Sequence, residues 1–103
     1  MTLPPPIFTL DIAGKPILAF EAKNLRESQQ LCHERWLRQD IADLMSNGVS
    51  LWDGKARLRV RRSTEREIAM YREAARDAAQ PQGDLLLAYL VELDDLREKS
   101  GRA

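Results

Sequence analysis

Three arginines stand at alternate positions, Arg57, Arg59 and Arg61, with Arg62 and Lys55 beside them. On an extended chain, alternate side chains project from one face, roughly 6.6 Å apart. Guanidinium forks match phosphate and carboxylate in shape and charge. Arg57, Arg59, Arg61 and Arg62 are therefore a candidate anion-binding strip for nucleic acid, a phosphorylated ligand or an acidic protein. The competing expectation is a solvated strand face whose arginines pair with carboxylates on neighbouring strands, such as Asp11, Glu21 or Glu92. Surface charge most often has that role, so the second expectation is the stronger. No aromatic residue interleaves the row, which weakens a single-stranded nucleic-acid reading further.

The other reactive residue types form weaker patterns. Cys32 and His33 are adjacent, but neighbours on a helix point about 100° apart and do not make a nucleophile–base pair. Cys32 is expected as a buried thiol. His33 is the sole histidine, which excludes a multi-histidine metal site. Asp40 and Asp43 lie one helical turn apart and Asp94 and Asp95 are adjacent; solvation explains both pairs better than acid–base chemistry. Ser63-Thr64 reads as a helix cap. No nucleophile elbow, glycine-rich phosphate loop or Cys-x-x-Cys occurs. No catalytic, metal or cofactor site is expected.

Composition sets the frame for these residues. With 103 residues and one cysteine, the chain is expected to be a single domain with no internal disulfide. Residues 1–6 are expected as an extended or disordered lead and 96–103 as a frayed tail. Charge sums to zero but is unevenly placed: residues 1–54 are net −2, residues 55–76 net +5 and residues 77–103 net −3. A neutral total argues against a dedicated nucleic-acid-binding domain, while the local excess still allows an anionic partner. The start of the sequence shows no signal-peptide pattern and the longest apolar run, Leu85 to Val91, is too short for a membrane span. A cytoplasmic location with no membrane contact is expected.

The elements that must position the arginines follow from periodicity. Ile7–Ile12 alternates apolar and polar residues, Ala13-Gly14-Lys15-Pro16 is a turn, and Ile17–Ala22 returns as a second strand. Asn24 and Glu27 have capping-box spacing. Leu25 to Ser46 lacks Gly and Pro, but its apolar stripe shifts phase: Leu25, Cys32 and Trp36 share one side, Leu37, Ile41, Leu44 and Met45 another. The spacing predicts two helices with a break near His33–Arg35, the second capped by Asn47-Gly48. Asp53-Gly54 suggests a hairpin turn into a strand over Ala56–Arg62, with 49–52 as either strand or loop. Thr64 and Glu67 open a helix to about Ala79, with Ile68, Tyr71, Ala75, Ala78 and Ala79 as its buried stripe, stopped by Gln80-Pro81-Gln82-Gly83.

Leu85–Leu93 reads as a strand, apolar on both faces. The expected fold is α+β: a small, mostly antiparallel sheet of about four strands, helices packed on one face, order β-β-α-α-(β)-β-α-β. In that arrangement the last strand would leave an apolar face bare. Leu86 and Leu90 on that strand, together with Trp52 beside the Asp53-Gly54 turn, are candidate interface residues. The expected function is a non-catalytic protein-interaction module able to pair with a second copy. The alternative is an anion or nucleic-acid binder using the arginine row.

Overall fold

Ala13 and Gly14 turn the chain back after the first strand with φ of 53° and 83°. Two consecutive positive φ values make the tight turn that suits a two-residue hairpin. It joins β1 (Ile7–Ile12) to β2 (Lys15–Glu21). Leu10 faces Leu18 while Asp11 faces Pro16, so Ile17 is bulged, beside a proline that has no N–H to offer a regular ladder. The computed structural model describes residues 5–78 and 86–94. Residues 1–4, Ala79, the helix stop Gln80–Gly83, Leu85, Asp95 and the tail 96–103 lie outside the described residues, as does the side chain of Ala78.

After β2 come α1 (Leu25–Leu31), α2 (Arg35–Asp43), β3 (Met45–Ser46), β4 (Val49–Ser50), β5 (Leu58–Arg62), α3 (Glu65–Ala78) and β6 (Ala88–Tyr89). The main sheet has the order β5-β1-β2-β6, and β3-β4 form a separate ribbon. All pairings are antiparallel. This is the α+β class expected, with a four-stranded main sheet and three helices among the described residues. The helices, however, divide between the two sheet faces rather than sharing one.

Phe8, Leu10, Ile12, Leu18, Phe20 and Val60 pack with Cys32, Leu37 and Ile41, which places α1 and α2 on one face. Ile7, Ala19 and Ala88 pack with Tyr71 of α3 on the other. All six residues of β1 are buried, Thr9 and Asp11 included. The alternation that marks a half-solvated strand is therefore a strand covered on both faces, one of them partly polar.

The helices break at Cys32–Glu34, as the shifted apolar phase predicts. Asn24 caps α1 by accepting the Glu27 N–H at 2.8 Å. Leu25 and Trp36 are 47% and 44% exposed, against the expectation that they join Cys32 in the core. Once the helix is cut in two, each piece sets its own inward face. For α1 that face is Ser28, fully buried, whose hydroxyl donates to the Leu25 carbonyl. In α3, Tyr71 is buried and Ile68 half-buried as expected, but Ala75 is exposed and Ala74 takes the inner place. No helix among the described residues is long and apolar enough to cross a membrane.

Asn47-Gly48 is a hairpin turn, not a helix cap. The two residues have φ of 55° and 78° and join β3 to β4. Residues 49–50 thus pair backward with β3. Asp53-Gly54 turns the chain without forming a hairpin, its carboxylate accepting the N–H groups of Lys55 and Ala56. The last strand pairs with β2 at Ala88 and Tyr89, and the Leu90 N–H extends the ladder to Ile17. Leu86 and Leu90 pack toward α3, while Leu87, Tyr89 and Val91 pack toward α1 and α2. Both faces of this strand are covered within the chain.

Asp94 fixes the segment that follows. Its carboxylate accepts the N–H groups of Asn47 and Gly48 at 2.9 and 2.8 Å, and its own N–H donates to the Met45 carbonyl. Asp94→Ala strands two turn donors and is expected to lower stability by about 1–2 kcal/mol. Urea unfolding monitored by circular dichroism measures this, with Asp43→Ala as an exposed-carboxylate control expected to change little.

Candidate functional site

Register with β1 decides what each arginine can do. Thr9 lies across from Arg61, Leu10 from Val60 and Asp11 from Arg59. The Ala13 N–H donates to the Arg57 carbonyl and the Ser63 N–H to the Ile7 carbonyl. In an antiparallel ladder these bonded pairs recur at every second residue. The backbones of Arg57, Arg59 and Arg61 therefore face β1. Those of Leu58, Val60 and Arg62 face outward, and among the described residues β5 is an edge of the sheet.

The side chains divide the other way. Arg57, Arg59 and Arg61 project on the α3 face with Thr9 and Asp11. Leu58, Val60 and Arg62 project on the face of α1 and α2, where the Arg62 guanidinium lies 5.8 Å from the centre of the Phe8 ring. The common face expected for the alternate arginines is present, but they are not equivalent.

Arg61 is bound into the fold. Its Nε donates to Asp11 Oδ2 at 2.9 Å, and its two terminal nitrogens reach both oxygens of Glu67 at 2.9 Å. Glu67 Oε1 also accepts the Thr9 hydroxyl and the Thr64 N–H. Thr9 commits its single proton to Glu67, so Ser63 must be the donor in the 2.7 Å contact between the two hydroxyls. The Thr64–Glu67 capping box is present, and Glu67 additionally closes a polar seam between sheet and helix. Asp11 Oδ1 is buried without a partner among the described residues.

Electrostatics follow from these contacts. The Arg61 guanidinium beside Glu67 holds its carboxyl down to about 2, despite burial acting in the opposite sense. The same bond raises the Arg61 pKa against desolvation. Burial raises the Cys32 thiol, with Arg38 acting in the opposite sense. Cys32 is buried and donates to the Gln29 carbonyl, while His33 is exposed. They form no nucleophile–base pair. Asp40 and Asp43 are exposed on α2, where Asp43 accepts from Gln39. Burial first, and Asp40 second, push Tyr89 up to about 12.

Arg57, Arg59 and Arg62 are exposed. They border a groove of about 910 Å³ that wraps the β5 edge and is closed on the far side by Leu25, Gln29 and His33. Leu25 is the apolar wall of this groove. Spacing alone misses it, because Leu25 falls on one apolar stripe with Cys32 and Trp36 and so reads as core. Asp11 lines the groove too, its charge held by Arg61. The sequence-expected interface residues lie elsewhere and are engaged internally. Trp52 is half-buried, donates its indole N–H to the Ala56 carbonyl at 2.8 Å and carries Arg38 over its ring. Leu86 and Leu90 are half-buried against the α3 side.

Arg61→Met leaves two buried carboxylates without their cation and is expected to cost on the order of 3 kcal/mol. Arg59→Met, at an exposed position, is expected to stay within about 0.5 kcal/mol of the parent. Guanidinium unfolding of both variants separates the structural arginine from the available one. Acid titration checks the seam independently. The depressed Glu67 pKa contributes stability that is present above the ordinary value of 4.5 and lost as pH falls toward 2. Glu67→Gln should therefore be less stable at neutral pH and show a flatter loss of stability between pH 4.5 and 2.

Comparison with known proteins gives no match: no family model, no curated protein and no solved structure corresponds to this chain.

Proposed function

We propose that this chain is a non-catalytic protein-interaction domain that docks its partner in the groove along the β5 edge. The observation that carries this reading is the open edge itself: outward backbone groups at Leu58, Val60 and Arg62, flanked by exposed Arg57 and Arg59 and by exposed Leu25. A surface offering unpaired main-chain groups, an apolar wall and fixed cations has the ingredients of a specific protein contact.

A second copy is the weaker partner. The reason to expect one was an apolar sheet face left bare, and α3 occupies that face. The partner is then a different protein. A polyanion reading retains Arg57 and Arg59 as its support, since both are exposed on one face. It loses Arg61 to the fold, which shortens the row.

A photo-crosslinking residue placed at Arg59 or at Leu25 is expected to capture one discrete protein in the native host, and the same residue at exposed Arg72 on α3 is expected not to. Absence of adducts at both groove positions, or equal labelling at Arg72, overturns the reading. Sedimentation equilibrium at micromolar concentration should return the 11.8 kDa monomer.

A further inference from the structure

We infer that the β5 edge accepts an extended peptide as an added strand, with acidic side chains at every second position and apolar ones between. The inference rests on the interaction reading above and names the partner's chemistry at the same groove. A peptide laid along β5 would find the N–H and C=O of Leu58 and Val60, and the N–H of Arg62, directed toward it. The Arg62 carbonyl already accepts from Arg61 Nη1 at 3.1 Å, so the ladder weakens at that end. Main-chain bonds of this kind give affinity, and the alternate side chains give selectivity.

Selectivity follows from the two faces of β5. Peptide side chains rising on the α3 face would meet Arg57 and Arg59, both exposed, with Arg61 already neutralised by Asp11 and Glu67. Carboxylates there make opposite-charge cross-strand pairs with guanidinium forks. Side chains on the other face would meet Leu58 and the exposed Leu25 across the groove, which favours apolar residues. The charge pattern also argues against β5 of a second copy as the occupant. Antiparallel pairing of two β5 strands about Arg59 sets the exposed Arg59 of each copy directly across from that of the other. Like charges directly opposite are destabilising.

The test uses the full chain and a fluorescent synthetic peptide alternating Glu and Val, read by anisotropy and by amide hydrogen exchange. Saturable binding is expected, with exchange at Leu58, Val60 and Arg62 slowed roughly tenfold or more. Leu58→Pro removes an outward donor while leaving the β1 ladder intact, and should weaken binding roughly tenfold. Arg62→Pro is the second blocking variant, and thermal melting verifies that each is folded. Arg59→Glu should weaken binding similarly, and a Lys–Val peptide should not bind.

Equal binding of a peptide with the same composition but clustered glutamates overturns strand addition, as does an unchanged exchange pattern at the three amides. Displacement by single-stranded RNA together with indifference to Leu58→Pro would instead mark a polyanion surface. If the Glu–Val peptide fails to bind while Arg59 still crosslinks to a host protein, this inference falls and the interaction reading stands. If the crosslinks also fail, both fall.

Discussion

Arg61 holds the sheet to its second helix. It spans Asp11 on β1 and Glu67 on α3, and Glu67 in turn collects the Thr9 hydroxyl and the N–H of Thr64, the residue that caps its own helix. Without a cation at this point, two carboxylates would face each other beneath α3 in a region that water barely reaches. Removing charge from such a cluster is costly because the remaining partners stay desolvated. The seam also gives α3 a defined position. Tyr71 and Ile68 supply apolar contact against Ile7, Ala19 and Ala88, but apolar contact alone is tolerant of sliding. A bidentate guanidinium pair is not, because its two parallel bonds fix both distance and orientation.

Fixing α3 has consequences at the edges of the sheet. With α3 on one face and α1 and α2 on the other, both sides of β1 and β2 are closed, and what remains open is the perimeter. β6 is a short edge, and the chain beyond it is tied to the β3–β4 ribbon through Ser46 and Asp94. β5 is longer, and its outward backbone groups meet a groove instead of a neighbouring strand. The molecule is therefore asymmetric in what it offers, and the arginines left unused by the seam lie on that open side.

Much of this was legible in the residues. The first hairpin, the two helices split near His33, the Thr64–Glu67 cap and the alternation of β5 all follow from local spacing, and local spacing is what short-range backbone geometry obeys. The misreadings share one cause. Thr9 and Asp11 look solvated because a polar residue in an alternating strand usually is; they are buried because Arg61 and Glu67, 50 or more positions away, satisfy them. Leu25 and Trp36 look buried because they fall on one apolar stripe with Cys32, a phase that holds only while the helix continues. Asn47-Gly48 suits a helix end and a tight hairpin equally, and the choice is made by β3 and β4 pairing with each other. Strand order is likewise a non-local property, so no spacing rule could have shown that β5 is an edge or that Arg61 differs from Arg59.

An open edge is normally a hazard, since unpaired main-chain groups recruit any extended segment, including another copy of the same protein. The arginines on β5 change that balance. Arg57 and Arg59 would disfavour an identical strand for the same electrostatic reason that they would admit an acidic one. Protection alone would be served as well by lysines, which are flexible and strongly hydrated. It would also not call for a groove walled by an exposed leucine. The combination of planar guanidinium forks, an apolar wall and outward backbone groups on one five-residue strand is better suited to discriminating between extended segments than to excluding all of them.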